Sequence, residues 1–257
     1  MTTVDAVELE SKVKDMYRLV AEQPHGAYHF EMGRALAERL GYPADLLDRI
    51  PGEAVESFAG VGYFLDLADL QPGERVLDLG SGSGTDSFAS ATIVGPTGMV
   101  VGVDFTAAQL AKARRLADAA GISQVQFREG RIESLPAVDD HSVDCVISNG
   151  VLNLSPDKAR VFAEAARVLR PGGRLAIADI VSERQLTDAI VSNADLWASC
   201  IGGAAQQDTY RLAIANAGLR VQEVRRNPYR FISEQARNAS ATYGVHSVCL
   251  LAVKPLD

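Results

Sequence analysis

Between residues 75 and 179 short apolar runs alternate with longer amphipathic stretches. The runs predict strands at 75–79, 98–103, 124–129, 142–148 and 173–179. The stretches repeat apolar residues at three- and four-residue spacing and predict helices at 85–94, 107–120 and 157–169. Gln71-Pro72-Gly73-Glu74 and Pro171-Gly172-Gly173 read as turns. This alternation predicts an α/β fold: a parallel sheet with helices on both faces. Upstream, Val7, Leu9, Val13, Met16, Leu19 and Val20 predict a helix over 5–22 that Pro24 stops. Further helices are expected over 27–40, 44–50 and 53–69. Downstream, 184–217 reads as helical up to Gly218, and apolar runs at 219–225 and 245–253 close the sheet as a hairpin-like pair. The expected division is a helical cap over 1–70, packed on an α/β domain over 71–257.

The first strand runs into Asp78-Leu79-Gly80-Ser81-Gly82-Ser83-Gly84, and the second ends at Asp104. Strand, glycine loop, helix, strand, acid is the layout of a nucleotide-binding unit. A dinucleotide fingerprint needs a third glycine where this chain has Thr85; Gly84 comes one residue early. Asp78 at the strand tip suits a cation better than a pyrophosphate, because like charges repel. S-adenosylmethionine carries an ammonium and a sulfonium and no phosphate. Asp104 is expected to accept from both ribose hydroxyls.

The formal charge of −8 argues against the basic footprint of a nucleic-acid binder. No apolar run reaches the roughly 18 residues that span a bilayer. Residues 1–14 are polar and mixed in charge, unlike a secretory signal. Cys145, Cys200 and Cys249 are odd in number and lack zinc-site spacing, so no metal is expected and a reducing cytoplasm fits. The expected partner is a small-molecule acceptor, with the chain a monomer or homodimer.

Asp78 to Gly84 with Asp104 resembles the first motifs of class I S-adenosylmethionine-dependent methyltransferases. That resemblance implies a Rossmann-like, doubly wound, mostly parallel sheet of seven strands with one antiparallel. It also implies helical segments, before the sheet and before its last two strands, that shape the acceptor pocket. Gly80, Ser81, Gly82, Gly84 and Asp86 join Asp78 and Asp104 in the expected cofactor set. Phe105 follows Asp104 and either packs on adenine or belongs to the core. Gln109 reaches toward the ribose or stays solvated. Where the family commonly reads the adenine amine with an acid, this chain has Arg131, which has no acceptor. Glu133, a backbone carbonyl or water then takes that contact, with the Ile132 N–H as a donor to the ring. Asn149, at the end of the fourth strand, faces the methionine end or simply forms a turn with Gly150.

The chain also resembles arsenite methyltransferases. The matching stretches are Gly73 to Phe88, Val103-Asp104-Phe105-Thr106, Ile147 to Lys158, Arg167 to Val181, and Ser199-Cys200-Ile201-Gly202-Gly203-Ala204. Tyr17 falls where that family has a tyrosine in its cofactor-closing helix. The family's thiol positions fall on Val61, Gly150 and Cys200, so one sulfur remains where soft As(III) is held by several. The resemblance therefore implies a kept scaffold and an altered substrate site. His25 and His29, four apart, are base candidates if their segment is helical. Cys200 is a third catalytic candidate, and with Trp197 a wall of an apolar acceptor site. The expected activity is methylation of a small molecule. The alternatives are metalloid methylation through Cys200 and an inert cofactor-binding regulatory module.

Overall fold

The computed structural model describes residues 4–198 and 200–256; residues 1–3, 199 and 257 lie outside that set. Five helices come first: α1 (Ala6–Glu22), α2 (Arg34–Leu40), α3 (Ala44–Leu47), α4 (Gly52–Glu56) and α5 (Leu65–Ala68). Then follow β1 (Arg75–Leu79), α6 (Thr85–Val94), β2 (Met99–Asp104), α7 (Ala107–Ala120), β3 (Val125–Glu129) and β4 (Val143–Asn149). A 3-10 turn at Leu152–Leu154 leads to α8 (Lys158–Val168) and β5 (Leu169–Ser182). The last part holds α9 (Asp188–Val191), α10 (Ala194–Ala198), β6 (Ala205–Gln206), α11 (Gln207–Asn216), β7 (Arg220–Arg226), α12 (Glu234–Tyr243) and β8 (His246–Val253).

Seven strands lie in the order β3-β2-β1-β4-β5-β8-β7, and the two-residue β6 pairs with the end of β5. β8 is antiparallel to both neighbours, and β1 to β5 pair in parallel. The expected mostly parallel sheet and its late antiparallel pair are therefore present, with β6 as an eighth strand. β1 and β4 are buried nearly end to end, which is why their sequences are continuous apolar runs rather than alternations. The edge strand β7 is half exposed and carries Arg220, Arg225 and Arg226, charges that discourage another chain from pairing with it.

The helices bury the faces that their periodicity marks. α7 buries Gln109, Leu110, Ala113, Leu116 and Ala117 and ends at Gly121 in the left-handed conformation. α8 starts at Asp157, whose carboxylate accepts from the Arg160 N–H, and buries Val161, Phe162, Ala165 and Ala166. α6 is buried on nearly every side because it lies between sheet and cap, hence its small residues. Leu36, Leu47, Val55, Phe58 and Phe64 of the first 70 residues share one apolar cluster with Val76, Phe88, Val100 and Leu110. Fully buried side chains such as Phe64 and Phe88 each contribute about 1.5–3 kcal/mol by leaving water.

Three helical expectations are corrected. Residues 23–33 are turns, with Gly33 at φ +82°, so the second helix begins at Arg34. The expected helix over 53–69 is interrupted across 57–64, around Gly60 and Gly62. The stretch 184–217 is three helices and β6, and α12 was not anticipated. Among the described residues, no helix is long and apolar enough to cross a membrane.

Candidate functional site

The sheet's order reverses at β1, which leaves a crevice outside the carboxyl ends of β1 and β4. A cavity of about 520 Å³ opens there, within the range of sites that hold a drug-sized ligand. α1 covers it with Leu9, Val13 and Tyr17, and the cap loop walls one side with Ser57 to Gly60. Its floor is the glycine loop. Gly80, Gly82 and Gly84 have φ of +75°, +51° and +96°. A Cβ on Gly80 would lie 2.4 Å from a Val151 methyl, so only glycine admits this turn.

Three buried carboxylates face the cavity. Asp104 accepts from the N–H groups of Gly82 (2.9 Å) and Thr106 (2.8 Å), which shapes the loop. Burial raises its pKa against those bonds. Asp78 accepts from the Ser87 hydroxyl at 2.6 Å. Burial and then the nearby Asp86 charge push it well above the usual carboxylate range. Asp86 is pushed up to about 6 by burial, while hydrogen bonds from Tyr42 and Asn149 pull the other way. Glu10, Glu133 and Asp157 add further acids to the lining, against Arg131 and Arg160. The cavity is thus built to receive positive charge.

Several anticipated residues meet here, and their partners are specific. Gln109 is buried: its amide donates to the Tyr17 carbonyl at 2.8 Å and its oxygen accepts from Ser83. It ties α1 to the glycine loop. Phe105 and Ile132 line the cavity, with the Lys14 ammonium 5.3 Å from the Phe105 ring centroid. Arg131 is exposed and pairs with Glu10, whereas Glu133 brings a carboxylate to the lining. Asn149 lines the cavity but spends its side chain on protein, as described below.

The acceptor-side residues lie elsewhere. Val61 and Gly150 are buried against each other; a Cβ on Gly150 would sit 3.2 Å from a Val61 methyl. The Asn153 side-chain amide lies between the Gly150 carbonyl and the Asp179 carboxylate. It also meets the Cys200 thiol, which faces Tyr17 as well. Val61 and Gly150 thus touch directly and Asn153 links them to Cys200, a buried patch outside the cavity lining. Cys200 is buried at φ +60°, and burial pushes its thiol up to about 11. Trp197 is buried in the insert, its indole N–H on the Val191 carbonyl (2.7 Å) and its ring under the Lys158 ammonium (4.8 Å). It is not part of the cavity lining. His25 is exposed and His29 packs edge-on to Phe30; because 23–33 is not helical, the shared face expected for them does not form. Ser199 lies outside the described residues.

Sequence reasoning missed Tyr42, Ser57, Thr85 and the buried Asp179, whose carboxylate accepts from the Tyr210 hydroxyl at 2.6 Å. Tyr42 follows a helix-ending glycine, a signal for a turn and not for a ligand.

The residues present fit S-adenosylmethionine. The buried Ser81 hydroxyl, on the cavity floor, has no hydrogen-bond partner among the described residues. The clustered carboxylates match a ligand with an ammonium and a sulfonium, and a pyrophosphate would meet repulsion.

A methyltransferase-domain family model matches residues 70–218. An arsenite methyltransferase of Halobacterium salinarum is 42% identical over 188 residues, 73% of this chain and 48% of that protein. An arsenite methyltransferase of Aquipseudomonas alcaligenes is 43% identical over 165 residues, 62% and 47% of the two chains. The chain thus spans about half the length of these curated relatives. The crystal structure of an arsenic (III) S-adenosylmethionine methyltransferase from Chlamydomonas reinhardtii superposes with a TM-score of 0.67 at 32% identity, covering 88% of this chain and 75% of that one. The chain belongs to the methyltransferase-domain family, and its core is that of a class I, S-adenosylmethionine-dependent methyltransferase.

Proposed function

We propose that this protein transfers a methyl group from S-adenosylmethionine to a small organic acceptor. The observation that carries the acceptor reading is the patch formed by Val61, Gly150 and Cys200. Two of its members have no donor atom in their side chains, and the third is a thiol held up at about 11. Soft metalloid ions are held by several sulfurs, and this patch supplies one.

When bound, the cofactor supplies an electrophilic methyl group. The chain's residues hold and orient the reactants. Asp78 and Asp86 take the ammonium end, and Asp104 accepts from the ribose hydroxyls. Phe105 and Ile132 flank the adenine, and Glu133 accepts from its amino group. α1 and the 57–64 loop keep water from the reacting atoms.

A second reading, metalloid methylation by Cys200 together with outside thiols such as glutathione, is favoured by the identity to arsenite methyltransferases. The two separate in one assay: arsenite with glutathione against a panel of small organic acceptors, followed by release of S-adenosylhomocysteine. Turnover of an organic acceptor and none of arsenite is expected. Arsenite turnover that Cys200→Ser abolishes would overturn the proposal.

A further inference from the structure

Cap and sheet meet in a buried polar junction beside the cavity. Tyr42, in the turn between α2 and α3, donates its hydroxyl to Asp86 in the first turn of α6. The Asn149 amide nitrogen lies 3.0 Å from each of the Tyr42 oxygen, the Asp86 carboxylate and the Gly62 carbonyl, its two hydrogens shared among the three. Its oxygen accepts from the Val61 N–H at 2.7 Å. Next to Asp86, the Thr85 hydroxyl donates to the Ala54 carbonyl at 2.8 Å. The approach of the cap loop is close: a Cβ on Gly60 would lie 2.6 Å from the Asn149 amide nitrogen. On Gly62 it would lie 2.2 Å from the Asn227 amide nitrogen and 2.9 Å from the Ala178 side chain. This explains the Gly60-Val61-Gly62 sequence.

The Tyr42 ring is 3% exposed and packs edge-on to Phe58 (5.0 Å) and Tyr63 (4.8 Å). Phenylalanine would fill that space equally well. The hydroxyl is directed instead at a carboxylate that faces the cavity. We infer that Tyr42 is a positioning residue for the cofactor: with Asn149 it holds the Asp86 carboxylate toward the cavity, so that the cap completes the subsite for the ligand's ammonium group. The inference rests on the cavity being the S-adenosylmethionine site.

The titratable groups facing Asp86 are the Asp78 carboxyl on β1, the Tyr42 phenol and, from the cap loop, the Tyr63 phenol; Asn149 is neutral. Tyr42→Phe removes a donor that favours the ionised carboxylate, so ionisation moves to higher pH. Calorimetry with S-adenosylhomocysteine should show affinity weakened roughly fivefold at pH 6 and under about twofold at pH 8. Tyr63→Phe, in the same aromatic cluster, should leave both values unchanged. In an Asp86→Asn background, where Asp78 still titrates, adding Tyr42→Phe should change affinity by under about twofold at either pH. Unchanged affinity in Tyr42→Phe, equal weakening at both pH values, or a Tyr42→Phe effect that persists in the Asp86→Asn background would overturn the inference. Absence of binding by the wild type at either pH would overturn the cofactor reading itself.

Discussion

Alanine at Gly80 separates backbone strain from collision inside the site. Gly80 and Gly121 both have positive φ, +75° and +64°. A Cβ on Gly121, at the end of α7, meets nothing within 4 Å. Gly121→Ala therefore reports the left-handed penalty alone, about 1–2 kcal/mol. A Cβ on Gly80 meets three atoms of Val151, at 2.4, 2.5 and 2.8 Å. Val151 is β-branched and held at χ1, so it cannot swing aside without a shift of the loop. Overpacking of this kind adds about 1–3 kcal/mol. Thermal unfolding should place Gly80→Ala below Gly121→Ala by roughly 2–4 °C for each of those kcal/mol. Val151 lines the cavity, so calorimetry should also show S-adenosylhomocysteine affinity down about tenfold or more in Gly80→Ala, and within about twofold of wild type in Gly121→Ala. Equal melting temperatures and equal affinities for the two variants would refute the reasoning.

Other outcomes follow from the buried acids and the rim. Burial raises Asp86 to about 6, so its contribution to the stability of the ligand-free protein falls as pH rises from about 4 through 6. A bound cation favours the ionised form, so S-adenosylhomocysteine affinity should drop roughly tenfold between pH 7 and pH 5, with proton release on binding seen in buffers of different ionisation enthalpy; a flat profile contradicts this. Tyr210→Phe leaves Asp179, itself near 6, without the Tyr210 hydroxyl. It should destabilise the fold by about 1.5–3 kcal/mol at pH 8 and by less at pH 5, read by denaturant unfolding. Arg131→Ala, which breaks a surface ion pair, should leave S-adenosylhomocysteine affinity within about twofold. Glu133→Gln should weaken it about tenfold, and the reverse order would show that Arg131 reads the adenine.

The sheet was legible because its strands are buried on both faces or alternate cleanly at the edges, and because the glycine loop and Asp104 punctuate it. The cap was less so. Gly26 and Gly33 break one apparent helix, Gly33 with a positive φ of +82°; Gly60 and Gly62 break another, and these two serve close tertiary approaches that a local pattern does not carry. α12 is polar over most of its length, and its mark is the capping Ser233, whose hydroxyl accepts from the Ala236 N–H. In the site, Asp78, Asp86, Asp104 and the glycines were visible because their spacing is local. Tyr42 and Asn149 act through contacts between residues 107 positions apart, and no local signal records them. His25 and His29 were spaced correctly for a helix face that does not exist.

The central claim is that the cavity over Gly80, Gly82 and Gly84 holds S-adenosylmethionine, with Asp104 on its ribose. Calorimetric titration of wild type and Asp104→Ala with S-adenosylhomocysteine, and of wild type with NADH, tests it directly. The account predicts one-to-one binding by the wild type, at least about a hundredfold loss in Asp104→Ala, and no binding of NADH. NADH binding, or S-adenosylhomocysteine affinity unchanged by Asp104→Ala, would contradict it.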